Sequence, residues 1–113
     1  MALWPPDLIV EMSLTATEHG GRKTSIEADW YGCPVDVGGR YFDARFDLSA
    51  AGPIAPGTTT VAPLKFLDSE VVRHVVIGQE LTLWEGRVIG KATVTEVCSP
   101  NPSFQRTASP PLN

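Results

Sequence analysis

The chain has 113 residues, which is enough for one domain with a single hydrophobic core and too few for two of ordinary size. Hydrophobic residues make up 42% and charged residues 19%, so the composition is that of a folded protein and not of a disordered one. The net charge of −4 excludes a generally basic, nucleic-acid-binding surface but leaves room for a local basic patch.

The N-terminal stretch MALWPPDLIV has no basic region, and Pro5 and Pro6 interrupt its short apolar run. It predicts neither a signal peptide nor a membrane span. We therefore expect a cytoplasmic protein in which residues 1–6 lead into the first strand.

Residues 7–98 are predicted to form one all-β domain, because apolar residues recur at every second position. The residues expected to face inward are Leu8, Val10, Met12 and Leu14 in residues 7–15, Ile26, Ala28 and Trp30 in residues 24–31, and Phe42, Ala44, Phe46 and Leu48 in residues 41–48. No window of eleven residues shows the spacing of an amphipathic helix.

The second half of the domain continues this pattern. VVRHVVI, residues 71–77, is predicted to be a strand in which His74 is partly buried beside Val72 and Val76. Two further strands flank a turn at Glu85 and Gly86, and glycine-containing turns separate the earlier ones. About six short strands favour a small closed antiparallel β-barrel, because closure removes exposed strand edges.

The last stretch, residues 99–113, is rich in proline and serine, with Arg106 as its only charged side chain. Proline removes backbone donors and the few apolar residues have no periodicity, so we predict a flexible tail.

No segment carries a complete catalytic or cofactor site. GGRKT, residues 20–24, lacks the spacing of a phosphate-binding loop and precedes a predicted strand, which favours a hairpin turn. His19 lies in a turn, and His74 has no recognisable nucleophile beside it. We expect no enzyme activity, no catalytic residue and no bound cofactor; a small enzyme that uses His74 is the weaker alternative.

Cys33 and Cys98 are far apart in sequence and neither belongs to a metal-ligand motif, so no metal site is expected. Two reduced thiols are favoured, with a single disulfide as the alternative. Tyr31 and Tyr41 fall on outward strand positions, and Trp84 precedes the last turn, so these three aromatic side chains are candidates for a contact surface.

Four segments resemble the third domain of elongation factor Tu and the related C-terminal barrels of translational GTPases. They are GGRKT, FDL followed by APG, VVIGQELTL, and EGRVIGKATV, and they keep the family's order and approximate spacing across residues 8–97. The resemblance implies a six-stranded antiparallel barrel. The family's GTPase domain, with its P-loop and Asn-Lys-x-Asp motif, has no counterpart here, so we expect no GTP binding.

In that family the barrel contacts the T-stem of aminoacyl-tRNA and also other proteins. Carried over by position, the resemblance assigns tRNA-facing turns to Gly21, Arg22, Lys23 and Thr24 and to Gly86 and Arg87. Ser25 departs from the family, which usually has proline there.

Two hypotheses about function follow. In the first, the chain is a standalone, non-enzymatic binding module whose partner is another protein, bound through a strand face or the exposed turns. Self-association that buries Tyr31, Tyr41 or Trp84 is a second form of this hypothesis. In the alternative it is an RNA- or tRNA-binding accessory protein of translation that uses Arg22, Lys23, Arg87 and Lys91.

Overall fold

The computed structural model describes residues 5–98. The strands are β1 (Leu8–Leu14), β2 (Trp30–Val37), β3 (Arg40–Asp47), β4 (Thr59–Phe66), β5 (Glu80–Trp84) and β6 (Val88–Val97). Two short 3-10 helices, Thr17–His19 and Ser69–His74, follow β1 and β4. The predicted tail, residues 99–113, and most of the lead-in, residues 1–6, lie outside the described residues.

The six strands close into an antiparallel barrel with the order β1-β4-β3-β2-β5-β6. β1 closes the ring, because Leu8 is opposite Leu64 of β4 on one side and Val97 of β6 on the other. This architecture confirms the prediction of an all-β fold built as a closed barrel of about six strands.

The core fills the inside of the barrel. Leu8, Val10, Met12 and Leu14 of β1 are buried, as their alternation predicts, and Phe46 and Phe66 are the largest fully buried side chains. At one end of the barrel the helix Ser69–His74 buries Val71 and Val72. At the other end a single bridge joins Ile26 to Ile54, and both side chains are buried.

The strand predicted over residues 24–31 is wrong. The segment between β1 and β2 crosses between strands that are not neighbours, so it finds no partner strand beyond the bridge at Ile26. Ala28 is exposed, and β2 begins only at Trp30. For the same reason GGRKT is part of a crossing connection and not a hairpin turn.

The strand predicted over residues 71–77 is also wrong. The Asp68 side chain accepts a hydrogen bond from the Glu70 N–H at 3.0 Å, and this cap starts a 3-10 helix. The helix turns Val71 and Val72 into the core and leaves His74 exposed, and Val75, which follows the helix, is also buried. Capping and the apolar spacing of the helix therefore overrode the alternation in VVRHVVI.

No helix within residues 5–98 is long and apolar enough to cross a membrane.

Candidate functional site

Most of the predicted contact residues meet at one end of the barrel, where the connection between β1 and β2 faces the β5–β6 hairpin. Between them lies a cleft of about 300 Å³, here called the hairpin cleft. Its lining residues are Arg22, Lys23, Thr24, Glu85, Arg87 and Ile89. The hairpin itself turns at Gly86, whose φ of 73° is in the left-handed region.

The two arginines of the hairpin cleft are held by the protein itself. Arg22 forms an ion pair with Glu85, and its Nε donates to the Thr24 carbonyl at 3.1 Å. Arg87 donates to the Gly20 carbonyl at 2.9 Å and to the Gly21 carbonyl at 3.1 Å. The guanidinium groups therefore fasten the hairpin to the β1–β2 connection.

Lys23 is different, because its side chain is exposed and has no hydrogen-bond or ion-pair partner within residues 5–98. It is the cation of this cleft whose charge stays available to a ligand. A single unpaired cation binds a phosphate backbone weakly, because the affinity comes from the counterions released at each neutralised phosphate and one cation neutralises only one phosphate.

Gly21 is required by the backbone of this connection. A Cβ at this position would lie 1.9 Å from the Thr15 carbonyl oxygen, so any other residue would collide with the main chain. The glycine thus serves a close approach between two chain segments, which explains the Gly-Gly pair without a phosphate.

Tyr31 was predicted to point outward, and this is wrong. Tyr31 shares the inner face of β2 with Cys33 and packs against the core, with its ring 6.2 Å from that of Phe46. Its hydroxyl donates to Glu85, and the Arg22 guanidinium lies 5.6 Å from the ring centroid. Because β2 begins at Trp30, its odd-numbered residues, including Tyr31, face the inside of the barrel. A strand over residues 24–31 would have placed Tyr31 on the outside.

Two titratable groups on the inner face of β2, Tyr31 and Cys33, are held in their neutral forms. Burial, aided by the hydrogen bond to Glu85, raises the pKa of Tyr31 well above its ordinary value. Burial also raises the pKa of the Cys33 thiol to about 11. A protonated thiol is a poor nucleophile, so this arrangement does not activate Cys33 near neutral pH.

Two of the predicted contact residues lie elsewhere. Lys91 is on the outer face of β6, where its Nζ is 3.2 Å from a carboxylate oxygen of Glu80. Trp84 is on the outer face of β5, and its ring centroid is 5.9 Å from that of Tyr41. Neither side chain lines the hairpin cleft.

Trp84 and Tyr41 form the centre of an exposed apolar surface, here called the aromatic face: Pro34, Tyr41, Trp84 and Val88. Tyr41 is 51% exposed and Trp84 is 39% exposed. Pro34 lies on β2 between their two strands, and Val88 is opposite Trp84 in the hairpin.

An outer groove of about 450 Å³ adjoins the aromatic face at Pro34. The residues that line it are Gly32, Cys33, Pro34, Asp43, Ala44, Arg45, Lys65, Phe66 and Leu67. Leu67 is 76% exposed at its wall, and Gly32 opens its floor because it has no side chain. Sequence reasoning missed this groove, because Gly32, Arg45 and Leu67 become neighbours only once β2, β3 and β4 are paired.

The two cysteines and the buried Asp7 are further groups within residues 5–98 that could carry chemistry, and the structure gives them structural roles. Cys33 and Cys98 are both free thiols, and no three His, Cys, Asp or Glu side chains in this part of the chain are grouped as a metal site requires. Asp7 is fully buried, and it accepts the Phe66 N–H at 2.9 Å while Lys65 lies 3.5 Å away.

No protein-family model matches this chain, and no curated protein sequence is significantly similar to it. The resemblance to the third domain of elongation factor Tu stays a prediction from the sequence.

Proposed function

We propose that this chain is a non-enzymatic protein-binding module in which a closed β-barrel presents the aromatic face to its partner. The observation that carries the proposal is the contact between Tyr41 and Trp84, two large rings that stay exposed on the outside of the sheet. Tyrosine and tryptophan are enriched at the energetic centres of protein interfaces, because they bury much area at little conformational cost.

The strands make the aromatic face rigid before any partner arrives. Tyr41 is on β3 and Trp84 on β5, and both strands are paired with β2 between them. A partner would therefore lose little free energy in ordering the surface it binds. Val88 within the aromatic face and Leu67 beside it are also exposed. An apolar surface of this kind suits a protein partner better than the phosphate backbone of a nucleic acid.

The resemblance to a translational GTPase barrel supports a partner within the translation machinery, and this is part of the proposal. A cytoplasmic location fits as well, because two free thiols, Cys33 and Cys98, persist in a reducing compartment.

RNA binding is the weaker alternative. Three of its four predicted cations, Arg22, Arg87 and Lys91, already contact carboxylates or backbone carbonyls. Each of these contacts would have to be given up or shared before a phosphate could be neutralised.

The test is affinity capture from native lysate with the full chain, with and without nuclease treatment. A double variant, Tyr41→Ala with Trp84→Ala, should lose the captured protein, whereas nuclease should leave it in place. Val61→Ala is the matched control, since Val61 is an exposed apolar residue on the outer face of β4, away from the aromatic face.

Capture that disappears with nuclease, or that requires Lys23 and survives loss of both rings, would replace the protein-binding proposal with RNA binding. Sedimentation of the purified chain identifies a second copy as the partner, if a dimer forms and the double variant dissociates it.

A further inference from the structure

We propose that the aromatic face binds a proline-rich segment of the partner in the polyproline II conformation, with a basic side chain next to the prolines. This inference rests on the proposed function, because it names the chemistry of the protein segment that the barrel receives.

The geometry of the two rings fits pyrrolidine rings. β3 and β5 are separated by β2, so their backbones are about 10 Å apart. Tyr41 and Trp84 nevertheless approach to 5.9 Å between centroids, with their planes tilted by 53°. The rings lean over β2 and present two inclined apolar surfaces above Pro34, and proline-rich ligands dock on aromatic-lined surfaces of this kind.

Each of the two rings carries a hydrogen-bond donor. Within the described part of the chain, neither the Trp84 indole N–H nor the Tyr41 hydroxyl has a hydrogen-bond partner. A polyproline II segment has no internal hydrogen bonds, so its carbonyl oxygens are free to accept. Proline also has no N–H that would need an acceptor from the surface. A ligand with acceptors and few donors therefore complements this face.

Two carboxylates lie beside the rings. Asp36 is opposite Tyr41 in the β2–β3 register, and Asp43 is opposite Pro34. Neither carboxylate has an ion-pair partner within residues 5–98, although Asp36 accepts the Gly39 N–H at 2.7 Å. Lys91 lies two strands from Asp36, beyond Thr82, and is paired with Glu80. Arg45 shares the outer face of β3 with Asp43. A basic side chain of the ligand would find its counter-charge at Asp36 and Asp43, whereas these carboxylates repel a phosphate.

The outer groove gives the segment a second anchor. It meets the aromatic face at Pro34, and its exposed wall residue Leu67 loses contact with water when an apolar side chain enters. At about 450 Å³ the groove has room for one or two residues of the ligand. A leucine between two proline pairs would place its side chain there.

The probe for this inference is the synthetic peptide acetyl-Ala-Pro-Pro-Leu-Pro-Pro-Arg-Ala-amide, titrated into the full chain. One comparison peptide replaces every proline by alanine, and the other replaces the arginine by glutamate. The readout is the NMR shift of the Trp84 indole N–H together with the backbone amides of β2 and β3. Saturable binding of the first peptide is expected, with both comparison peptides about tenfold weaker or more, a difference of about 1.4 kcal/mol.

Variants of the protein locate the site. Trp84→Ala and Tyr41→Ala should each weaken the arginine peptide about tenfold, as expected for aromatic anchors. Trp84→Phe keeps the apolar surface and removes the N–H, so an intermediate loss is expected. Asp36→Asn with Asp43→Asn should weaken the arginine peptide and leave the glutamate peptide unchanged or better bound. Val61→Ala should bind like the wild type.

The inference is overturned if the arginine peptide gives no saturable shift at millimolar concentration, or if the alanine peptide binds equally well. Tighter binding of the peptide to the double variant Pro110→Ala with Pro111→Ala would also overturn the inference. That result would mean that the chain's own proline pair competes for the aromatic face. Loss of captured partner in the Tyr41 and Trp84 double variant, combined with no peptide binding, would reject the polyproline ligand and keep the protein-binding proposal.

Discussion

Cys33 is on the inner face of β2, 6% exposed, where the Tyr31 hydroxyl and the backbone of Trp84 are its polar neighbours. Burial removes the water that would stabilise a thiolate, and this raises the thiol pKa from 9.0 to about 11 despite those polar neighbours. The residue thus behaves as a small apolar core residue with a weak donor, and it contributes to stability and not to reactivity.

This pKa shift predicts how stability changes in alkali. The thiol is protonated in the folded state up to about pH 11, while in the unfolded state it ionises from pH 9.0 upward. The contribution is therefore fully present below pH 9.0 and is lost as pH rises towards 11, by about 2 kcal/mol of unfolding free energy. Denaturant unfolding of the wild type and Cys33→Ala at a series of pH values measures this difference.

Ionisation of Tyr31 also lowers the unfolding free energy in alkali, because burial raises the pKa of Tyr31 as well. Comparing the wild type with Cys33→Ala therefore isolates the contribution of the thiol. Cys98→Ala serves as the control and should keep the alkaline loss due to Cys33. Parallel pH profiles for the wild type and Cys33→Ala would contradict the assignment.

Two carboxylates show why charged residues were hard to place from sequence. Asp7 is fully buried and tied to Lys65 and to the Phe66 N–H, and Asp47 is 5% exposed. The Ser49 hydroxyl and N–H donate to Asp47, and these hydrogen bonds lower its pKa. Alternation alone assigns Asp47 to the wet face of β3, because it cannot reveal that the next residues fold back to satisfy the carboxylate.

At the level of elements, β1 and β6 approach each other closely at Gly90. A Cβ on Gly90 would lie 2.4 Å from the Ser13 carbonyl oxygen and 3.1 Å from the Leu14 Cα. These are main-chain atoms in a paired strand, so they cannot move aside without distorting the β1–β6 register. Gly90 is therefore a close-packing point between these two strands.

We expect Gly90→Ala to lower the unfolding free energy by about 2 kcal/mol or more, because overpacking against backbone cannot relax. Gly32→Ala is the matched control. A Cβ on Gly32 would meet its nearest neighbour, the Arg45 Cγ, at 3.7 Å, which is ordinary contact. Chemical denaturation of both variants provides the measurement, and equal stabilities would show that β1 and β6 can separate at this point.

The sequence predicted a strand correctly where the hydrophobic alternation or a short turn also determined which strand it pairs with. β1 and the β5–β6 hairpin were predicted well, because burial on one face or a short turn determines them. Residues 24–31 and 71–77 alternate equally well, yet one crosses the barrel end and the other forms a capped 3-10 helix. Their conformations follow from the strand order and from the Asp68 cap, neither of which a period of two can show.

The site divides in the same way. Arg22, Lys23, Thr24 and Arg87, predicted through the resemblance, do come together at the hairpin cleft. What the sequence could not show is that Glu85 and the carbonyls of Gly20 and Gly21 already occupy the two arginines. Tyr41 and Trp84 were each singled out, but only the order β3-β2-β5 makes them neighbours.

On the scale of the whole molecule, closure makes every strand depend on residues distant in sequence. β1 pairs with β4 and with β6, so the first and last strands must meet before the ring is complete. The ladder between β2 and β5 is short, with two register pairs, Val35 with Leu83 and Asp36 with Thr82. The side chains of Tyr31, Arg22 and Glu85 support this junction from the hairpin end.

This topology predicts slow and cooperative folding. The chain must lose the conformational entropy of bringing β1 and β6 together before most of the stabilising contacts can form. We therefore expect folding on the order of milliseconds to seconds. With Trp4 replaced by phenylalanine, tryptophan fluorescence from Trp30 and Trp84 reports the β2–β5 junction, while far-ultraviolet circular dichroism reports the whole sheet. Both should follow one denaturant transition, since a barrel that lacks one strand leaves its neighbours' backbone groups unpaired.

The junction itself can be tested by Glu85→Gln, which keeps the shape but removes the charge that faces Arg22 and accepts from Tyr31. It should lower stability by about 1 kcal/mol and leave the two transitions coincident. If fluorescence instead changes before circular dichroism, the β2–β5 seam opens by itself and the barrel unfolds as two units. That result would contradict the single cooperative ring that the strand order implies.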